Sequence, residues 1–319
     1  MSLRRRLCAV GVVALAAFTS TSTVGATPRL RWESHQAMPT PRHEFAYARL
    51  DGRFYVMAGF AAGLNTVPLV DVYDIADDTW ESGPPLPYAP NHAMGAAGKG
   101  VVYNLGGYLA VTSAPTDRAV ALLEGAWVDL PPMPAARAAG AAEIVGGKLY
   151  VVGGVGPDGV VDDVFVFDPD TQEWSTMPGP PIALEHLALV KRAGKLYAVA
   201  GRALTLDSVG ATVQRFDPVT GTWKRLPSLP HATSGHVAAA TRNGFLVSFG
   251  GEGPEGVYAD AFAYDFHTRR WRTLPALAPA RTGFGITAVG SRVFVFGGAG
   301  DDPGYYDLTQ AIDLRPLRR

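Results

Sequence analysis

A chain of 319 residues with a formal charge of −1 and one cysteine, Cys8, has no basic footprint for DNA or RNA and no cysteine pattern for a structural zinc site. At this length it can bury enough apolar surface to fold without disulfides, and length alone would allow two domains.

In chain order the first feature is a leader. Arg4, Arg5 and Arg6 precede a 12-residue apolar run, Leu7 to Phe18, and the small-residue stretch Val24-Gly25-Ala26 precedes Thr27. Charge, short apolar run and small-residue site in that order make an export signal, and the run is too short to span a bilayer. The expectation is a signal peptide at 1–26, then a secreted or periplasmic chain with a formal charge of −4, no cysteine and no membrane span.

Beyond the leader one phrase keeps returning: "DGRFYVMAG" (51–59), "KGVVYNLGG" (99–107), "GGKLYVVGG" (146–154), "AGKLYAVAG" (193–201), "NGFLVSFGG" (243–251) and "GSRVFVFGG" (290–298). The final glycines are spaced 48, 47, 47, 50 and 47 residues apart. The six tryptophans, Trp32, Trp80, Trp127, Trp174, Trp223 and Trp271, keep the same period. A fixed repeat of this length outweighs any single motif, and it argues for one domain, 27–319.

Each unit reads as strands. In the third, "ARAAGAAEIV" (136–145) is a small-residue strand and "KLYVVGG" (148–154) follows a glycine turn. "VFVFDPDTQEW" (164–174) then holds a third strand, an Asp-Pro turn and the start of a fourth. Nothing after the leader keeps a helical period. Aromatic–Asp pairs recur before the tryptophans at Tyr73-Asp74, Phe167-Asp168, Phe216-Asp217 and Tyr264-Asp265; unit two, with "VALLEGAW" (120–127), has a shortened hairpin instead.

Four strands per unit, a double glycine and a late tryptophan resemble the kelch repeat over nearly all of residues 32–314. The resemblance implies an all-β fold, a six-bladed kelch β-propeller with each tryptophan packed between blades. The last unit, from Arg281, offers three strands through "QAIDL" (310–314), and the first tryptophan lies in "RWESHQAMP" (31–39), which no earlier strands precede. The predicted sixth blade is therefore built from 281–314 plus 30–39, and the N-terminal strand closes the ring so that no open sheet edge remains. The copper-radical oxidases that share such blades need a Cys joined to a Tyr, which a chain without cysteine cannot supply.

Two G-x-G-x-x-G matches, "GVGPDG" (154–159) and "GEGPEG" (251–256), lack the helix start that a dinucleotide site needs and read as hairpin loops. No nucleotide or other cofactor is expected.

Candidate site residues come from counting back from each unit's last glycine. Seventeen back gives Arg42, Pro90, Arg137, Leu184, Ser234 and Arg281; fifteen back gives Glu44, His92, Ala139, His186, His236 and Gly283. The two-residue offset places both rows on one side of the inner strand, where kelch propellers face their central opening. His43 and Glu185 stand beside the second row. Phe60, Tyr108, Arg202 and Glu252 directly follow the last glycine of their phrases, and Tyr88 and Phe284 flank the mouth.

These residues support three readings. The first is a monomeric binding module for a glycan, peptide or partner protein, contacting it through Arg42, His43, Glu44, His92, Arg137, His186, His236 and Arg281. Exposed arginines would hold an anionic or carboxylated ligand in two-point contact and could be replaced without harming the fold. The second follows from a weaker resemblance, in export, blade count and size, to the exported kelch proteins that interconvert sialic acid anomers (the sialic acid mutarotase, or N-acetylneuraminate epimerase, family). It implies a sugar mutarotase with Glu44, Glu185 and His186 as acid–base candidates. The third is a metal-assisted enzyme using His92, His186, His236 and Glu44, ranked last because ligands must lie about 2.0–2.1 Å from an ion and opposite blades would have to converge.

Overall fold

The structure, a computed structural model, describes residues 30–111, 114–301 and 304–318. The predicted leader and its cleavage point lie outside them. No helix among the described residues is long and apolar enough to cross a membrane.

Six four-stranded antiparallel sheets are arranged as blades. Blade 3 shows the unit: Ala141–Val145, Lys148–Val152, Asp163–Asp168 and Glu173–Pro178 pair in chain order. Its two middle strands are sandwiched between neighbouring blades. Leu149, Tyr150, Val151 and Val152, and Val164, Phe165, Val166 and Phe167, are buried consecutively, so these strands are apolar on both faces rather than alternating. The first strands are rich in Ala and Gly because all six crowd around one channel. A Cβ on Gly95 of blade 2 would come within 2.3 Å of the Tyr47 carbonyl oxygen of blade 1. Blade 2 has its short hairpin, with Glu124 and Gly125 both at positive φ as a two-residue turn requires. Both G-x-G-x-x-G stretches are small hairpins, Val155–Gly156 with Gly159–Val160 and Glu252–Gly253 with Gly256–Val257.

The core is divided among the interfaces. Six apolar clusters each join two successive blades, around the whole ring. The tryptophans are half-buried at the outer edge of these seams. Each indole N–H donates to a backbone carbonyl of the preceding blade: Trp80 to Gln36, Trp127 to Pro84, Trp174 to Pro131, Trp223 to Pro178, Trp271 to Pro227 and Trp32 to Pro275. Their period is thus a blade-to-blade hydrogen bond as well as packing.

Blade 6 closes the circle. Gly285–Val289, Arg292–Phe296 and Thr309–Asp313 take Trp32–Ser34 as fourth strand, in register Trp32 to Ile312, Glu33 to Ala311 and Ser34 to Gln310.

At the mouth of the channel the blades are joined by backbone alone. Glu44 N–H donates to Gly283 O, His92 to Glu44, Ala139 to His92, His186 to Ala139, Gly235 to His186 and Gly283 to Gly235, all at 2.7–3.0 Å. All six residues have φ between +49° and +62°. A second circle runs just outside. The last glycine of each repeat phrase, Gly59, Gly107, Gly154, Gly201, Gly251 and Gly298, donates to the carbonyl of Pro90, Arg137, Leu184, Thr233, Arg281 and Arg42 of the next blade, at 2.8–3.0 Å. Glycine is needed at Gly154, where φ is +95° and a Cβ would lie 2.5 Å from the Ala138 carbonyl oxygen.

Candidate functional site at the channel mouth

The inner circle brings Glu44, His92, Ala139, His186 and Gly283 together, five of the six residues in the second counted row. The sixth is Gly235, not His236. Blade 5 carries one more residue in its first hairpin: Val237 pairs with Phe249, twelve positions on, whereas Gly285 of blade 6 pairs with Phe296, eleven on. Counting back across that hairpin falls one residue short, which also replaces Ser234 by Thr233 in the outer circle.

His236 is therefore a buried residue beside the mouth, and neither ring nitrogen has a hydrogen-bond partner among the described residues. Burial pushes its imidazole from 6.5 down to about 3. It is neutral in the folded chain, whereas the unfolded chain takes up the proton near 6.5. The stability this holds above that pH is lost as pH falls through the window from 6.5 to about 3. His236→Leu should remove that loss and gain roughly 3 kcal/mol over the parent between neutral pH and about pH 4. Parallel stability–pH curves for the two proteins, measured by urea unfolding, would show that His236 does not titrate this way.

Arg42, Arg137 and Arg281 correct a second expectation. They do not face the opening; they are 0%, 1% and 0% exposed. Arg42 donates to the carbonyls of Ala58 at 3.0 Å and Leu69 at 2.9 Å and to Asp71 Oδ2 at 2.5 Å. Arg137 reaches Gly153 O at 3.3 Å and Asp163 Oδ1 at 2.6 Å, with its guanidinium 4.0 Å above the Phe165 ring. Arg281 reaches Gly297 O at 3.2 Å and the Gln310 side-chain oxygen. Each ties the start of its blade to the third strand. The two-residue offset fails to keep both rows on one side because the intervening backbone turns into the left-handed region at the circle, and side-chain alternation holds only for extended chain. Tyr88 and Phe284, expected at the rim, are buried as well.

What faces the mouth is a compact polar network. Glu44 Oε2 lies 3.5 Å from His92 Nε2 and 3.9 Å from His186 Nε2, and the two imidazole centroids are 4.9 Å apart. Asn91 donates its amide to Tyr108 O at 3.1 Å, which turns its oxygen to His92 Nδ1 at 2.6 Å. His186 Nδ1 is hydrogen-bonded to Glu185. Both Nδ1 atoms thus face acceptors and carry the protons, leaving each Nε2 with its lone pair toward Glu44. Arg202 binds Glu185 Oε1 at 2.6 Å and Glu252 Oε1 at 2.5 Å, and its Nη2 lies 3.3 and 3.4 Å from the two nitrogens of His186, across the ring. Burial pushes the Glu44 carboxyl up to about 7 and His92 down to about 4, and it holds His186 well below its usual range. His43 is lowered by burial too; it stacks on Tyr305 at 4.5 Å.

Below the mouth the channel holds about 270 Å³, walled by the Ala-rich first strands and carrying the Glu143–Lys191 ion pair at 3.1 Å. Blade 3 has Ala138, Ala139 and Val155 where blade 2 has Asn91, His92 and Tyr108 and blade 4 has Glu185, His186 and Arg202. Asn91, Thr233 and Tyr305 escaped the sequence reading. Asn91 had a signal, since it precedes His92 as Glu185 precedes His186; Tyr305 sits on an irregular loop outside the repeat.

Three stretches, 41–87, 136–181 and 188–230, match the family model described as Kelch motif. Curated relatives include Kelch-like protein terF of Aspergillus terreus, 30% identical over 257 residues covering 72% of this chain and 55% of that protein. Kelch-like protein 35 of Mus musculus is 28% identical, covering 64% and 35%. Kelch-like protein 25 of Xenopus tropicalis is 24% identical, covering 82% and 37%. The chain thus spans about half or less of the length of these relatives. Among solved structures, that of YjhT superposes with a TM-score of 0.74 at 18% identity, covering 85% of this chain and 95% of that one, a likeness of fold. Repeat phrase, blade order, closure and family match agree: the chain is a six-bladed β-propeller built of kelch repeats.

Proposed function

We propose that this chain is an exported binding module that holds a segment of a partner protein at the mouth face of its propeller. Export rests on the leader pattern of residues 4–26. The observation that carries the reading is the distribution of exposed apolar side chains. Of ten large ones among the described residues, six (Leu64, Leu69, Leu109, Val111, Leu204 and Leu206) lie on the loops of blades 1, 2 and 4 that follow the phrase's last glycine, loops whose first residues, Phe60, Tyr108 and Arg202, pair with His43, Asn91 and Glu185 at the mouth. Apolar side chains around a polar centre suit a peptide with one polar group inserted. Three carboxylates, Glu44, Glu185 and Glu252, stand at the mouth against one guanidinium, already engaged by two of them. With Arg42, Arg137 and Arg281 buried, the inserted group is neutral or cationic rather than anionic.

Phage display of random peptides on the immobilised propeller tests this. Selected peptides should lose at least about tenfold in affinity on Leu109→Asp and Leu204→Asp, roughly the 1.4 kcal/mol of one apolar contact. Val219→Asp, on an Asp-Pro turn at the far face and 87% exposed, should leave binding unchanged. Binding lost with Val219→Asp but kept by the loop variants would refute the reading. Accelerated anomer exchange of a free reducing sugar, followed by NMR, would favour the mutarotase alternative instead.

A further inference from the structure

We propose that the mouth is a divalent transition-metal site, zinc foremost, with Glu44, His92 and His186 as its three protein ligands and a fourth position open to the mouth. This does not depend on the partner-binding reading.

Three observations converge. The first is distance. One ligand atom from each of the three residues, which stand on blades 1, 2 and 4, lies within 4.8 Å of the other two. Tetrahedral zinc with bonds of about 2.0–2.1 Å separates its ligand atoms by roughly 3.3 Å. The Glu44 contacts of 3.5 and 3.9 Å need only small closure. The objection that opposite blades must converge is met by the narrowness of the inner circle.

The second is orientation. Each histidine has its far nitrogen fixed by the residue immediately before it, His92 by Asn91 and His186 by Glu185, so that Nε2 of both is presented inward. Metal-bound histidines are held by such an acceptor on the other nitrogen, which sets the tautomer and strengthens the ligand. The inward result is two lone pairs facing a carboxylate oxygen. Arg202 Nη2, 3.3 and 3.4 Å from the two nitrogens of His186, lies across the ring rather than along the Nε2 lone pair, so these are three acceptors that a cation satisfies together.

The third is charge. Glu44, Glu185 and Glu252 against Arg202 leave a formal −2 within one hydrogen-bonded network, the complement of one divalent ion. Arg202, bound by two carboxylates, is neutralised rather than opposed to the ion.

The donor set decides the class. Two imidazoles and one carboxylate suit zinc and its first-row neighbours, whereas calcium and magnesium call for six or more oxygens.

The test is zinc titration of the purified chain by calorimetry after stripping with a chelator, with calcium as the control. One zinc per chain is expected with no calcium uptake, and cobalt in its place should give the visible absorption of a low-coordinate nitrogen–oxygen site. His92→Ala and His186→Ala should each weaken zinc by more than about 100-fold. Asn91→Ala, a change at a positioning residue, should weaken it about tenfold. Ala139 occupies the same position of the circle at φ +53°, so alanine is compatible with the fold there. Glu44→Gln, of unchanged size, covers the event that a histidine variant misfolds. No zinc uptake by the parent, or equal uptake by Glu44→Gln and the His92→Ala/His186→Ala double variant with unaltered thermal unfolding, overturns the proposal.

Discussion

Arg42→Ala is expected to destabilise the propeller by about 3–5 kcal/mol, the cost of breaking a buried ion pair from one side. Asp71 would be left 5% exposed without Arg42 beside it, and the carbonyls of Ala58 and Leu69 would each lose a hydrogen bond, Leu69 keeping the one from Ala58 N–H. Burial drives the two groups in opposite senses, Arg42 downward and Asp71 upward, ahead of their mutual attraction. The pair therefore braces the blade without adding much net energy of its own. It follows that Arg42→Met combined with Asp71→Leu should cost less than Arg42→Ala alone, because no buried charge is orphaned. Chemical denaturation of the two variants decides it. A near-neutral Arg42→Ala would mean that this guanidinium is solvated and free for a ligand after all.

Deleting residues 30–39 should have a comparable or larger effect. The segment supplies the fourth strand of blade 6, the Trp32 bond to Pro275 and an edge contact between Trp32 and Phe249 at 5.1 Å. It also carries Met38, buried between blades 6 and 1. Without it, Thr309–Asp313 becomes an open edge and the seam between blades 6 and 1 loses part of its core. Light scattering should show association of the shortened chain, and its melting temperature should fall by about 8 °C or more, set by a loss of roughly 4 kcal/mol or more at about 2–4 °C per kcal/mol. A monomer melting with the parent would show that the ring holds without its clasp.

The architecture was legible because it is repeated. A closing glycine forced by backbone crowding and a tryptophan forced by one inter-blade bond leave the same mark six times, and the lone tryptophan at position 32 disclosed the closure. The site was legible only in part. Glu44, His92 and His186 could be placed by counting because the chain from the circle to the phrase's last glycine has one length in blades 1, 2 and 4. His236 could not, since one extra residue in the hairpin of blade 5 is invisible to a count anchored beyond it. The arginines misled for a different reason. Their charge suggested solvent, but a long side chain starting one turn from the mouth can run back inside its own blade, where Asp71, Asp163 and Gln310 wait on a strand far along the sequence.

The inner circle of backbone bonds has a consequence for how such a mouth changes. In every blade the chain steps two residues from the outer circle to the inner one: 42 to 44, 90 to 92, 137 to 139, 184 to 186, 233 to 235 and 281 to 283. Surplus length is expelled to the hairpins and loops on either side, as blade 5 shows. The inner circle is thus a six-position socket whose frame is independent of what it holds. Glutamate, histidine, alanine and glycine already share it at nearly one φ. Exchanging side chains at those six points rewrites the chemistry of the mouth while the scaffold stays still.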